Sequence, residues 1–307
     1  MRDLLQSGRS VRAFVRTRDD RDLLPQGVDL AIGDITKFSE VRAAMAGCDA
    51  VIHACSTHVY NLRPERFWDV NVGGTTNVCD AAAEVGCRRV VLTSTISTFA
   101  PAPGGRVVAP PRDAPGRKLM SLSKRAAEDE VLARAGMGLP AVIVNPTYFI
   151  GPCDYSPSPF RLWAPLAVCM PVPFVPGGGF NVIGAGEVSR AHLWALDHGT
   201  VGARYAVVGR NISLVDYVTL LNRAAGRNLV PRALPAPVLR GVAVGKVFNR
   251  YVVDLITRAN YVVEPHAVPI AREALEDVVF RTVRWFREDA RLASLSALVR
   301  YTRTRYC

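Results

Sequence analysis

The chain has 307 residues, of which 49% are hydrophobic and 21% are charged, and its formal net charge is +11. This length suits one large domain or two moderate ones, and the hydrophobic share can fill a buried core, so disorder is not the default state. No apolar run reaches the roughly 20 residues that cross a bilayer, and the start lacks the apolar segment of a signal peptide. We therefore expect a soluble cytoplasmic protein.

Neither the positive charge nor the cysteines indicate a nucleic-acid or metal site. Only 4 of the 38 basic residues are lysine, and apart from the tail from Arg281 to Arg305 the arginines are spread out. No helix-turn-helix or zinc-finger pattern accompanies them. The 7 cysteines are scattered, without a CxxC pair or a His/Cys cluster at metal-ligand spacing. We expect no nucleic acid, no metal ion and a small molecule as the partner.

Strands and helices alternate through the first half of the chain. Residue patterns predict strands at 11–16, 28–32, 50–54, 89–93 and 140–145, and helices at 1–8, 38–46, 66–86 and 119–135. The uniformly apolar strands are typical of a sheet that is covered on both faces. The alternation predicts an α/β fold with a doubly wound parallel sheet.

The texture of the sequence changes after residue 150. Residues 151–186 are rich in Pro and Gly, which favours loops and short elements around a pocket. A strand at 204–208, a helix at 213–225 with Ser213 as its N-cap, an apolar and largely helical segment at 234–258 and a helix at 272–290 follow. This part is expected to be smaller and less regular than the first.

Six short motifs carry a resemblance to a known family. They are Gly33-Asp34-Ile35-Thr36, Val51-Ile52-His53-Ala54-Cys55, Asn71-Val72-Gly73-Gly74-Thr75, Val90-Val91-Leu92-Thr93-Ser94-Thr95, Ser123-Lys124, and Asn145-Pro146 followed by Gly151-Pro152. In this order and spacing the chain resembles the extended short-chain dehydrogenase/reductases, in particular the NAD(P)-dependent epimerase/dehydratase and dihydroflavonol-reductase-like branch. The resemblance implies a Rossmann-like NAD(P)-binding domain at 1–150 and a mainly substrate-binding region at 151–307.

The resemblance also implies where a nicotinamide cofactor would lie, across the carboxyl ends of the strands. Thr95 would polarise the substrate carbonyl, and Lys124 would bind the nicotinamide ribose. The other implied cofactor contacts are Asp34 and Ile35 at the adenine, Cys55 and Ser56 along the cofactor, and Pro146 with Thr147 at the nicotinamide. Arg16 and Arg18 follow a strand at the place where arginine accommodates the 2′-phosphate of NADP, so NADP is expected and NAD is the alternative.

Met120 departs from the family, which has its proton-donating tyrosine at this position. Residues four apart share a helix face, so Met120 is the neighbour of Lys124. Three explanations stay open: another group donates the proton, with Tyr60, Tyr148, Tyr155 and His58 as candidates; water or a substrate hydroxyl donates it; or the protein is a non-catalytic relative.

A second departure is that the family's first strand and its glycine-rich turn, which holds the pyrophosphate, have no counterpart before Met1. Without that central strand, two neighbouring strands would keep unpaired backbone groups. We expect the natural start to lie upstream by about 15–25 residues, the length of one strand and turn.

The function expected from the sequence is reduction of a ketone on a medium-sized hydrophobic substrate by an NADP-dependent oxidoreductase. The apolar segments 159–175 and 234–258 motivate this substrate class. The alternative is a non-catalytic nucleotide-binding or structural relative. Sugar-nucleotide epimerisation is a weaker alternative, because it usually depends on the tyrosine. A homodimer through the helices near 66–86 and 119–135 is implied by the resemblance.

Overall fold

The computed structural model describes residues 1–17, 23–57, 65–99, 115–154, 163–235, 259–260 and 268–289. Several predicted features lie outside these ranges. They are Arg18, His58, Tyr60, Tyr155, most of the segment 234–258 and the basic tail after residue 289. No helix within the described ranges is long and apolar enough to span a bilayer.

The first half of the chain alternates between strands and helices, as the sequence predicts. Its elements are α1 (Arg2–Gln6), β1 (Val11–Val15), β2 (Val28–Ile32), α2 (Phe38–Met45), β3 (Ala50–His53), α3 (Glu65–Trp68), α4 (Gly74–Val85), β4 (Arg89–Thr93), α5 (Pro115–Gly136) and β5 (Ala141–Pro146). A π-helical turn (Asp69–Gly73) joins α3 to α4. The predicted helix 66–86 is therefore one helical run that widens locally near its start.

The second half contains shorter elements. They are β6 (Tyr148–Ile150), α6 (Trp163–Cys169), β7 (Phe174–Pro176), β8 (Gly179–Gly184), α7 (Ala185–His198), β9 (Arg204–Val207), β10 (Arg210–Ser213), α8 (Leu214–Ala224), β11 (Arg232–Leu234), β12 (Ala259–Asn260) and α9 (Leu275–Glu288). Ser213 caps α8 as predicted, because its hydroxyl accepts the backbone N–H of Asp216 at 3.0 Å.

A parallel sheet in the order β3-β4-β5-β9 forms the core. Side chains of β4 and β5 alternate between two buried clusters. Val91 and Val142 pack with residues of α7 on one face, whereas Val90 and Ile143 pack with residues of α4 and α5 on the other. The sheet is thus covered by helices on both faces, which confirms the α/β, doubly wound fold.

The sheet is interrupted between β1 and β3. Strands β1 and β2 pair in parallel as a separate two-stranded sheet, and no backbone ladder joins β1 to β3 in the described chain. Residues 50–52 of β3 are only half-buried, whereas the residues of β5 are all buried. In the usual strand order of doubly wound folds, a further strand lies between strands in the positions of β1 and β3.

A smaller sheet continues from the carboxyl end of β5. Its central strand β8 pairs in parallel with β6 and β12 and antiparallel with β10. Gly209, just before β10, is required here, since a Cβ at this position would collide with the backbone of Val182 in β8. This sheet covers a second core formed with α6, α8 and α9.

Candidate active site

The carboxyl end of β4 carries three consecutive hydroxyl side chains. Thr93 Oγ1 lies 2.8 Å from Nε2 of His192 on α7, whose Nδ1 lies 2.7 Å from the Val188 carbonyl oxygen. Burial lowers the pKa of His192, so the neutral imidazole donates through Nδ1 and accepts the Thr93 proton through Nε2. Ser94 is buried, and its hydroxyl has no partner among the described residues.

Thr95 ends this hydroxyl series and begins a short 3₁₀ turn (Ile96–Thr98). Its hydroxyl oxygen accepts the backbone N–H of Ser97 at 3.3 Å and lies 3.2 Å from the Ser97 hydroxyl. Because the oxygen serves as an acceptor, the hydroxyl proton can be directed to another group. The same arrangement makes Thr95 an N-cap, so the residue has a structural role as well.

Lys124 lies on α5 and reaches the same strand. The residue is 8% exposed, and its Nζ donates to the backbone carbonyl oxygen of Thr93 at 3.1 Å. Burial lowers the pKa of Lys124 to about 8, although the charges of Cys55 and Glu128 act in the opposite direction. A buried ammonium has three donors, and only one of them has an acceptor within the described chain.

Met120 is half-buried one turn before Lys124, on the helix that the sequence predicts. A chain of hydrogen bonds fixes this turn. Ser123 Oγ donates to the Met120 carbonyl at 3.0 Å and accepts Asn71 Nδ2 at 2.9 Å, while Asn71 Oδ1 accepts the backbone N–H of Thr57 at 2.9 Å. Asn71 therefore links the π-helical turn, α5 and the segment after β3.

Glu128 is a buried residue that the sequence prediction missed. Its Oε1 accepts Thr98 Oγ1 at 2.7 Å and Asn145 Nδ2 at 2.6 Å, and its Oε2 lies 2.6 Å from the Arg204 guanidinium. The Arg204 guanidinium also lies 4.3 Å from the centre of the Phe99 ring. This cluster joins α5 to the ends of β4 and β5. The spacing of four residues from 120 to 124 and 128 places these three residues on one helix face, so it could have indicated Glu128. No comparable sequence pattern indicates Arg204.

The segment after β3 faces the interruption in the sheet. Cys55 and Ser56 are exposed. His53 is buried at the end of β3, with Nε2 3.0 Å from Thr75 Oγ1. Burial, with a smaller contribution from Lys124, lowers the pKa of His53 to about 3, so its imidazole is neutral at physiological pH.

Asp34 and Ile35 lie in the turn after β2 and have internal partners. Asp34 Oδ1 accepts the backbone N–H of Thr36 at 2.9 Å and its hydroxyl at 2.8 Å, and these bonds lower the pKa of Asp34. Ile35 packs in the core, and its carbonyl oxygen accepts Asn77 Nδ2 at 2.9 Å. The contact of this turn with an adenine stays a prediction.

Arg16 and the pair Pro146–Thr147 complete the sequence-predicted residues within the described ranges. Arg16 is exposed just after β1. Pro146 ends β5 opposite Val207, and Thr147 is buried, with its N–H donating to the Val207 carbonyl at 3.0 Å. The structure therefore places Thr95, Lys124 and Pro146 at one edge of the central sheet, and Asp34 and Arg16 at the same edge of the β1–β2 pair.

The described residues fit the two ends of a nicotinamide cofactor. At the nicotinamide end, the unused donors of Lys124 offer hydrogen bonds to a ribose. At the adenine end, the turn at Asp34 and the exposed Arg16 are available. A pyrophosphate would fall between them, at the interruption between β1 and β3, where the described chain offers no glycine-rich turn.

Comparison with known proteins identifies the family of the chain. The model of the NAD dependent epimerase/dehydratase family matches residues 1–207. The chain belongs to this family. Sterol demethylase protein B of Methylococcus capsulatus is 31% identical to it over 271 residues, which cover 85% of this chain and 81% of the relative. A putative dihydroflavonol 4-reductase of Synechocystis is 31% identical over 248 residues, which cover 76% and 72%.

A solved structure extends the likeness to the whole chain. The crystal structure of gox2253 has a TM-score of 0.77 and 25% sequence identity, and the match covers 95% of this chain and 94% of that one. Membership of the epimerase/dehydratase family assigns the chain to NAD(P)-dependent enzymes of the oxidoreductase, epimerase and dehydratase type. The family's Rossmann-like fold is the one described above.

Proposed function

We propose that the chain is an NADP-dependent oxidoreductase that reduces a ketone on a medium-sized hydrophobic substrate. The proposal rests on the hydrogen bond from Lys124 Nζ to the carbonyl oxygen of Thr93 at the end of β4. Thr95 follows two residues later. This arrangement puts a cation and a hydroxyl donor at the edge of the sheet where doubly wound folds bind ligands.

Each residue of this edge has a chemical task in the proposed reaction. The reduced cofactor, when bound, supplies a hydride to the carbonyl carbon. Thr95, whose oxygen already accepts from Ser97, directs its proton to the carbonyl oxygen and stabilises the negative charge that develops there. Lys124 holds the cofactor through ribose hydroxyls, and Pro146 with Thr147 borders the nicotinamide.

The substrate class is proposed from the second half of the chain and from the names of relatives. Residues 151–307 would mainly bind the substrate, beside a cofactor-binding unit at 1–150. One relative is named for a sterol and another for a dihydroflavonol, and both names refer to multi-ring compounds. Because ligand pockets are largely apolar, a polyketide, flavonoid-like or terpenoid ketone is the substrate class that we propose.

NADP is proposed over NAD because of Arg16. This arginine is exposed after β1, and it forms no ion pair with any described carboxylate. A guanidinium in this position can bind the 2′-phosphate by two parallel hydrogen bonds. Arg18 would add to this binding.

The rival proposal is a non-catalytic, nucleotide-binding relative, and Met120 favours it. Loss of a general acid typically costs about 10²–10⁴ in rate, which weakens an enzyme without abolishing it. Epimerisation of a sugar nucleotide is disfavoured by the same residue, since that reaction must move a proton in both directions.

We also propose a cytoplasmic homodimer that is formed through α4 and α5. Leu122 on α5 is 46% exposed and Trp68 at the end of α3 is 43% exposed, so apolar surface is present beside these helices. Sedimentation equilibrium of the wild-type chain tests this proposal.

Calorimetric titration with NADPH and NADH tests the cofactor. We expect NADPH to bind at least about tenfold more tightly than NADH, and the variant Arg16→Ala to lose most of this difference. Arg42→Ala is the matched control, because Arg42 is an exposed arginine paired with Glu84 and should leave both affinities unchanged. Equal affinities for the two cofactors in the wild-type chain would contradict the NADP assignment.

Consumption of NADPH with a dihydroflavonol and with a 3-ketosteroid tests the reaction. Turnover of either ketone supports the oxidoreductase. Binding of NADPH without turnover of either would favour the non-catalytic rival.

A further inference from the structure

The structure raises the question of which group protonates the alkoxide when the tyrosine is missing. Resting on the proposed ketone reduction, we propose that Nζ of Lys124 is the proton donor to the substrate oxygen, in addition to its role in holding the cofactor. Lys124 thus becomes a catalytic acid in a site where Met120 provides none.

The position of Lys124 supports this role. Its Nζ lies 3.1 Å from the Thr93 carbonyl oxygen, at the strand end whose second following residue is Thr95. One hydrogen bond fixes the direction of the side chain, and the other donors have no acceptor in the described chain. Met120 offers only a thioether and a methyl group one turn earlier, so the ammonium is the proton source on this helix face.

The groups around Lys124 allow the ammonium to release a proton. Burial disfavours its charge and lowers its pKa to about 8, close to the pH at which an acid catalyst of a neutral-pH enzyme works best. His53, on β3, is neutral because of its own lowered pKa. Cys55, after β3, and Glu128, on α5, favour the ammonium, but Glu128 is already paired with Arg204. No described carboxylate forms a salt bridge with Lys124.

The other described candidate donors have different tasks. The ring of Tyr148 packs edge-to-face on Phe180, with centroids 5.1 Å apart, as part of the second core. His192 is neutral, and its two ring nitrogens are engaged by Val188 and Thr93. Among these described candidates, Lys124 is therefore the one that carries an acidic proton and has N–H donors without an acceptor in the described chain.

The proposed step is balanced in atoms and electrons. The hydride, with its electron pair, forms a C–H bond at the carbonyl carbon, and the carbonyl π pair moves to oxygen. The N–H bond of the Lys124 ammonium breaks, its proton forms the O–H bond of the alcohol, and the nitrogen keeps the pair as a neutral amine. A proton from water then restores the ammonium, and the reductant is the reduced nicotinamide.

The variant Lys124→Arg separates proton donation from cofactor holding. Arginine keeps the cation and its hydrogen bonds, but it does not release a proton at any pH at which the protein is folded. We expect ketone reduction to fall by at least about 100-fold while NADPH affinity changes by less than about fivefold. Lys37→Arg, at an exposed lysine paired with Glu40, is the control and should change neither quantity. A Lys124→Arg enzyme that retains activity within about threefold overturns the proposal.

A spectroscopic readout does not depend on turnover. The chain has four lysines, at 37, 118, 124 and 246, so protein labelled with ¹⁵N at lysine Nζ gives four assignable resonances. We expect the resonance that is absent in Lys124→Arg to titrate near pH 8 in the wild-type chain. In a kinetic test, we expect the double variant Lys124→Arg/Met120→Tyr to turn over the ketone at least about tenfold faster than Lys124→Arg does. If Lys124 titrates at the same pH as the other lysines, its role as proton donor is overturned, but the proposed function is not. If NADPH binds and no ketone is reduced, the proposed function itself is overturned.

Discussion

Lys124 is expected to destabilise the folded chain at neutral pH. Its pKa is about 8 when folded, against an ordinary value of 10.5, so the unfolded chain binds more protons between these pH values. The free energy of unfolding therefore increases as pH rises from 8 to 10.5, because the destabilising charge of Lys124 is lost. Below pH 8 the buried ammonium lowers the free energy of unfolding by roughly 3 kcal/mol. A residue kept at such a cost is typical of a functional site.

Replacement of Lys124 by methionine should expose this cost. We expect Lys124→Met to raise the free energy of unfolding by roughly 1–3 kcal/mol at pH 7, because the lost hydrogen bond to Thr93 offsets part of the gain. At pH 10 the gain should largely disappear. Urea unfolding of both proteins at the two pH values measures the difference, and an equal gain at both pH values would rule out titration of Lys124 as its cause.

Among the secondary-structure elements, the buried Glu128 joins α5 to the ends of β4 and β5. Glu128→Gln keeps the shape of the side chain but leaves the Arg204 guanidinium without its charge partner, and we expect a loss of about 2–4 kcal/mol in the free energy of unfolding. Asp49→Asn breaks an exposed pair with Arg88 and should cost less than about 1 kcal/mol. Urea unfolding compares the two variants, and equal losses would mean that Glu128 adds no more than a surface charge does.

The elements that the sequence predicted are those whose residue pattern reflects their own burial. Strands β4 and β5 are apolar runs because both of their faces are covered, and α8 is marked by Ser213 and by Gly226, which takes a φ of 75° just past its end. Strand β8 was not predicted, because glycines such as those around it usually indicate loops. In the structure it is nevertheless the central strand of its sheet, paired with β6, β10 and β12. Pairing across the chain leaves no local pattern.

The same distinction applies to the candidate site. Thr95 and Lys124 were found because short motifs carry them, whereas Glu128 and Arg204 matter only through their contact across 76 residues of chain. Isolated charged residues are read as exposed by default, and only the fold shows that Glu128 is fully buried. Sequence could thus propose Thr95 and Lys124 as site residues, which stays a prediction, but it could not reveal the buried cluster beside them.

At the scale of the whole molecule, the described sheet is interrupted between β1 and β3, so each of these strands has a backbone ladder on one side alone. We expect the amides of residues 11–15 and 50–53 to exchange hydrogen faster on average than those of residues 90–92, which are paired on both sides. Amide hydrogen exchange of the wild-type chain measures the difference.

Equally slow exchange in all three strands would contradict this expectation. Such a result would mean that the two edges are satisfied in another way.

The interrupted sheet also bears on how the chain behaves in a crowded solution. Within the described residues, β1 and β3 each keep one backbone edge without a ladder, and an unpaired edge accepts a strand from a neighbouring chain. The net charge of +11 makes copies repel one another at long range, but salt screens that repulsion beyond about 10 Å and it cannot pair an amide. The solubility of this polypeptide is therefore governed less by its surface charge than by whether these two edges find a partner.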